Sequence, residues 1–168
     1  MIAVFDSSAW IFLSKVGVVD KALALFDHSI LPRSVHKEIA ARNDEAFSAL
    51  KGFLDINRLE IREAKNTRLV NALKKKLGTG ESEAIVVGLE LDADFVILDD
   101  HTARSTAIHL GLGVKGTLGI LRRLMELGMI KRDLVRLYED LRDMGFWVRE
   151  SLFWDIFSDL RDPRDISE

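Results

Sequence analysis

Acidic side chains recur in this chain where short apolar runs stop. Ile2-Ala3-Val4-Phe5 ends at Asp6 and is followed by Ser7-Ser8, and Phe95-Val96-Ile97-Leu98 ends at Asp99-Asp100. Between them, Val35-His36-Lys37-Glu38 and Gly80-Glu81-Ser82-Glu83-Ala84-Ile85 carry further acids. A buried strand that ends in a carboxylate places it at the carboxyl edge of a sheet, where open α/β sheets bind ligands. Carboxylates gathered there repel one another unless a cation holds them. Hard divalent ions such as Mg²⁺ and Mn²⁺ favour such all-oxygen sites.

Each acid also has an ordinary explanation. Asp6 has the residue type of a helix cap, although Ser7 or Ser8 serves that purpose equally well and leaves Asp6 free. One of Asp99 and Asp100 caps the segment after residue 100. Adjacent strand residues point in opposite directions, so one of the pair is expected to face a site, and the sequence leaves open which. Glu81 and Glu83 suit the positive end of a helix dipole. Glu83 lies one turn before Val87 and borders the face expected to be buried, whereas Glu81 reads as solvated. Glu38 taken alone reads as a surface residue. His28, His36, His101 and His109 show no paired ligand spacing. Gly111-x-Gly113-x-x-Gly116 lacks the preceding strand of a dinucleotide loop.

The elements that must position these acids alternate. Strands are expected at 2–5, 29–31, 55–61 (an edge strand), 95–98 and 113–114. Helices are expected at 7–14, 19–27, 43–52, 65–77, 81–91, 101–110, 117–127, 134–144 and 151–160, and one with Pro32 in its first turn that carries Val35, Glu38 and Ile39. This alternation predicts an α/β fold with a mostly parallel central sheet.

The chain has 168 residues, 48% hydrophobic and 30% charged, the balance of one globular domain. With no cysteine, disulfides and thiolate metal sites are excluded and a reducing, cytoplasmic setting is expected. No apolar run approaches the roughly 20 residues that span a bilayer, and no basic segment precedes the first apolar run, so neither membrane insertion nor a signal peptide is expected. A net charge of −3 is not the footprint of a bulk nucleic-acid binder, though a local acidic metal site is compatible with acting on RNA.

Asp6-Ser7-Ser8, Leu31-Pro32-x-x-Val35-x-x-Glu38, Gly80-Glu81-Ser82-Glu83-Ala84-Ile85 and Leu98-Asp99-Asp100-x-x-Ala103-Arg104 together resemble the PIN-domain nucleases. Val114-Lys115-Gly116-Thr117-Leu118-Gly119-Ile120-Leu121 brings the resemblance close to the VapC toxins of toxin–antitoxin pairs. The resemblance covers nearly the whole chain and implies one three-layer α/β/α sandwich over 1–168. It implies a Mg²⁺- or Mn²⁺-dependent endoribonuclease with Asp6, Glu38, Glu83, Asp99 and Asp100 as its catalytic acids, and with Asp6, Glu83, Asp99 and Asp100 as metal ligands. Ser8 is then expected to orient Asp6, and Arg104 and Lys115 to contact phosphate. The third acid is usually aspartate in the toxins, and Leu98-Asp99-Asp100 replaces their Thr-x-Asp, which leaves the fourth ligand ambiguous. The resemblance also implies a homodimer and a small antitoxin that blocks the site.

Other readings are an RNA-processing PIN nuclease without an antitoxin, and a catalytically silent PIN-like protein-binding module. A phosphoacceptor receiver domain is disfavoured, because its adjacent acids belong at the first strand. The aromatics Phe146, Trp147, Phe153, Trp154 and Phe157 mark 146–160 as an aromatic-rich segment that either packs back on the core or forms an interface. Residues 161–168 read as a polar tail.

Overall fold

The computed structural model describes residues 1–160, and the expected polar tail lies outside the described residues. They fall into two compact units, one running from Met1 to Thr117 and the second starting at Leu118.

The first unit is built on β1 (Ile2–Phe5), β2 (His28–Pro32), β3 (Glu60–Arg62), β4 (Phe95–Ile97) and β5 (Val114–Lys115), all parallel, in the order β3-β2-β1-β4-β5. Its helices are α1 (Ser7–Val16), α2 (Val19–Leu23), α3 (Arg33–Arg42), α4 (Glu45–Asp55), α5 (Thr67–Leu73), α6 (Thr79–Glu90) and α7 (His101–His109). Strands buried on both faces read as continuous apolar runs, and Ala3, Val4 and Phe5 are 0–1% exposed. Alternation sends Val4, Ile30, Val96 and Leu98 to one face, where they meet Ala84 to Val87 of α6 and Ala103 and Ala107 of α7. Phe5 points to the other face, edge-on to Trp10 of α1 at 6.2 Å, and Trp10 in turn meets Phe53 of α4 at 6.3 Å. Helices therefore cover both faces, as the expected sandwich requires. The strand order reverses between β1 and β4, and a crevice opens at such a switch point.

Several boundaries differ from expectation for local reasons. The second helix stops at Leu23 rather than residue 27. Pro32 is the last residue of β2 and the N-cap of α3, not part of its first turn. The fourth helix runs on to Asp55, so only Glu60–Arg62 is left to pair as β3. The expected helix 65–77 begins at Thr67, because Asn66 accepts the Leu69 N–H at 3.0 Å and caps it there. The helix expected at 81–91 starts at Thr79, with Gly78 as its N-cap.

The second unit contains α9 (Leu134–Asp143), α10 (Glu150–Phe157) and a single 3₁₀ turn, Ser158–Leu160, after most of α8 (Thr117–Glu126). Tyr138 meets Phe153 at 5.0 Å, and Phe153 meets Phe157 at 4.8 Å. Arg122 forms a bidentate pair with Asp159 at 2.7 Å and also donates to the Ile156 carbonyl. Of the five aromatics in the 146–160 segment, Phe146, Phe153 and Phe157 are buried, while Trp147 is 83% exposed.

Candidate functional site

Asp6 leaves the end of β1 and stands at the N-cap of α1, but its side chain makes no capping hydrogen bond. It is only 3% exposed, and its Oδ1 has no hydrogen-bond partner. An unpartnered buried carboxylate oxygen is costly. Burial pushes the Asp6 pKa up to about 7. The Ser7 and Ser8 N–H groups pull it down, and the neighbouring Glu81 and Glu38 push it further up.

Glu38 reaches the same place from α3, and Gly80 makes the approach possible. A Cβ on Gly80 would sit 3.1 Å from Asp6 Oδ1, 3.1 Å from Val35 Cγ2 and 3.3 Å from Glu38 Oε2. Asp6, Glu38 and Glu81 line one open pocket of about 320 Å³. The hydroxyl residues Ser7, Ser8 and Thr79 complete its wall with Gly78 and Gly80. Ser8, expected to orient Asp6, is among the residues that line the pocket.

The two glutamates of α6 divide differently from the expectation. Glu83 is 8% exposed, and its oxygens accept the Ser34 N–H at 2.7 Å and the Ala64 N–H at 3.2 Å. It ties α6 to the start of α3 and to the segment after β3, and it is not among the pocket-lining residues. Glu81 lines the pocket instead, with one oxygen accepting the Gly78 N–H at 2.9 Å. Glu81, read from the sequence as solvated, stands in the first turn of α6 and faces back toward Gly78.

Asp99 and Asp100 also separate. Asp100 is exposed and caps α7 by accepting the Ala103 N–H at 2.8 Å. Asp99 accepts the Thr117 N–H at 2.7 Å and the Thr117 hydroxyl at 2.6 Å. Burial raises its pKa, while the Thr117 donors and the Arg104 charge act against the rise. Arg104 donates to the Leu98 carbonyl at 2.9 Å, and the Lys115 ammonium lies 4.3 Å from the centre of the Phe95 ring. The two expected phosphate contacts are thus engaged beside Asp99 and on Phe95. Thr117, not a candidate site residue in the sequence, is the partner of Asp99.

Among the described residues, no three or more His, Asp or Glu side chains close around one ion position. The Asp6 pocket nevertheless suits a cation that retains much of its water. Mg²⁺ is held by one or two carboxylates and keeps several waters. Asp6 Oδ1 lacks a partner, and two further carboxylates raise its pKa, so a positive charge there would relieve both penalties.

No curated protein matches the sequence. Among solved structures, the chain is similar to a PilT N-terminus domain protein, SSO1118, from the hyperthermophilic archaeon Sulfolobus solfataricus P2. The two share 22% identity and a TM-score of 0.47 over 72% of this chain and 91% of that one. A family model described as a PIN domain (DUF3368) matches residues 2–162, nearly the whole sequence. The chain therefore belongs to the PIN-domain family.

Proposed function

We propose that this chain is a Mg²⁺- or Mn²⁺-dependent endoribonuclease centred on Asp6, Glu38 and Glu81. The observation that carries the reading is the buried, unpartnered Oδ1 of Asp6 in a pocket lined by two other carboxylates. Family membership supports nuclease chemistry. A bound divalent ion lowers the pKa of a coordinated water and offsets phosphate charge. Asp6 contributes a carboxylate oxygen that no protein donor holds, and a bound cation would favour its ionised form. Glu38 and Glu81 supply the remaining negative charge from α3 and α6. Ser8 and Thr79 offer hydroxyls along the same wall. Asp99, both of whose oxygens accept from Thr117, and Asp100, whose carboxylate caps α7, are assigned to holding the fold. Glu83 is assigned to support, because both its oxygens already accept backbone N–H groups.

The toxin of a toxin–antitoxin pair is the specific role we assign, on the Val114 to Leu121 resemblance, with a homodimer, a small antitoxin and a cytoplasmic setting. Among the described residues, no helix is long and apolar enough to cross a membrane. Among the described residues no three acids close around one ion position, which favours as second reading a silent PIN-like binding module.

Cleavage of mixed structured and single-stranded RNAs with Mg²⁺, Mn²⁺ or EDTA, for wild type and Asp6→Asn, tests the nuclease. Metal-dependent cutting that disappears in Asp6→Asn is the expected result. No cutting with either metal, together with no divalent binding by calorimetry, overturns it in favour of the silent module.

A further inference from the structure

The pocket is acidic, yet the substrate proposed for it is a polyanion. Phosphates must therefore be held by some other surface that leads to it. From Ala64 to Gly80 the sequence holds Lys65, Arg68, Lys74, Lys75 and Lys76 and no acid, inside a chain whose net charge is −3. This stretch contains α5, whose Leu69, Val70 and Leu73 pack with buried Leu77 against the core cluster. Arg68, Asn71, Ala72 and Lys75 recur at helical spacing on the exposed side. The chain continues past α5 in tight turns, with the Lys76 and Leu77 N–H groups both bonded to the Leu73 carbonyl at 3.0 Å. Lys74, Lys75 and Lys76 therefore stand on an ordered, exposed turn.

Two features make this stretch more than a solvated helix face. First, none of the five cations forms an ion pair among the described residues, whereas Arg33, Arg42, Arg62, Arg122 and Arg123 all do. The acids that touch the stretch bind its backbone and not its cations: Glu90 accepts from the Lys65 and Asn66 N–H groups, Glu83 from Ala64 N–H and Glu81 from Gly78 N–H. Second, Lys76 lies two residues before Gly78, the first of four consecutive pocket-lining residues, Gly78 to Glu81. Buried Leu77 anchors the connection, so the lysine turn and the pocket wall are one continuous piece of backbone.

We infer that the exposed face of α5 and the Lys74–Lys76 turn form the track that holds the phosphate backbone of a nucleic-acid strand and feeds it to the Asp6 pocket. This rests on the nuclease reading above and names where its substrate lies. Lysine contacts of this kind position a strand without reading its sequence. Small Ala72 and short Asn71 between Arg68 and Lys75 leave room for a backbone to lie close. The attraction is salt-sensitive, because each phosphate contact releases counterions.

The test is binding of a fluorescein-labelled 12-nucleotide oligouridine in EDTA, read by anisotropy across a salt series. Lys74→Gln/Lys75→Gln/Lys76→Gln is compared with wild type and with the charge-matched control Lys51→Gln/Lys131→Gln/Arg136→Gln. The track predicts binding weakened roughly ten- to hundred-fold by the lysine-turn variant, with the slope of log K against log salt smaller by about 2. The control is expected to change binding less than two-fold. A second arm follows hydrolysis of bis(p-nitrophenyl) phosphate, too short to reach the track, which the lysine-turn variant should leave unchanged. Equal affinity and equal slope for the lysine-turn variant and wild type overturn the track, as does a wild type that does not bind. A wild type that binds in EDTA with the predicted lysine dependence, yet cuts nothing with either metal, overturns the nuclease chemistry and leaves the track standing.

Discussion

Asp6 and Asp99 follow the two neighbouring strands at the centre of the sheet, and burial pushes both carboxyl groups up. Their surroundings are nonetheless opposite. Asp99 has both oxygens satisfied by Thr117 and a guanidinium nearby. Asp6 has an oxygen with no donor and two like charges for company. The same residue type at equivalent strand ends is thus finished by the fold in one case and left unfinished in the other. Burial alone does not mark a functional carboxylate. The missing partner does.

The sharpest way to break this contrast is to neutralise Asp6. Asp6→Asn is expected to lower metal-dependent cleavage at least a thousand-fold, about 4 kcal/mol of barrier. Its effect on stability has the other sign. In the folded, metal-free chain Asp6 keeps its proton up to about pH 7, whereas an unfolded aspartate releases it near 3.8. Ionisation of Asp6 therefore opposes folding, and that penalty grows as pH rises from about 4 to 7. Asp6→Asn should stabilise the metal-free chain by at most about 4 kcal/mol at pH 8 and by almost nothing at pH 4. Urea unfolding at both pH values measures it, and equal effects at the two would sink the contrast.

On the satisfied side, Thr117→Val removes the hydroxyl that Asp99 accepts from. It should cost about 1.5–3 kcal/mol of stability by the same measurement. If it proves neutral, the Asp99 cluster does not hold the fold.

Glu81 and Glu83 repeat the contrast within one helix. Glu83→Gln leaves one of the Ser34 and Ala64 N–H groups facing an amide NH₂, so stability should fall by about 1–3 kcal/mol. Glu81→Gln can still accept from Gly78 N–H, so its expected loss is in divalent affinity by calorimetry, with stability within about 0.5 kcal/mol. The reverse pattern would return the third acid to Glu83. The smallest effect belongs to Gly80→Ala. Its Cβ crowds Asp6 and Glu38 by a few tenths of an ångström, while alanine favours the helix. Activity should drop several-fold while the unfolding midpoint barely moves.

The strands and most helices were legible because apolar runs and helical periodicity are strong signals, and Asp6 stood out as an acid ending such a run. What the sequence hid was side-chain direction. Glu81 and Glu83 differ by two positions and so face different sides of α6, and only the packing of α3 and of the segment after β3 against that helix shows that Glu83 is claimed and Glu81 is left to the pocket. Likewise, Asp99 and Asp100 could not be separated until Thr117, 18 residues along, was seen to claim the first. Long-range hydrogen bonds of that sort leave no periodic trace. The basic run at Lys74–Lys76 was visible in composition, but its place beside the pocket was not.

The pairing of β1 with β4 also sets a clock. Asp6 donates its own N–H to the Ile97 carbonyl at 3.1 Å, and Val4 aligns with Val96, more than ninety residues later. Every acid of the pocket, from Asp6 to Glu81, is synthesised before the strand that fixes the first of them exists. At ribosomal rates of about 5–20 residues per second, the interval between Asp6 and Ile97 is roughly 5–20 s. Pairing across so long a span is then slow in its own right. A nascent chain therefore carries the carboxylates of the pocket unassembled throughout that interval, and the pocket is complete only after β4 has docked.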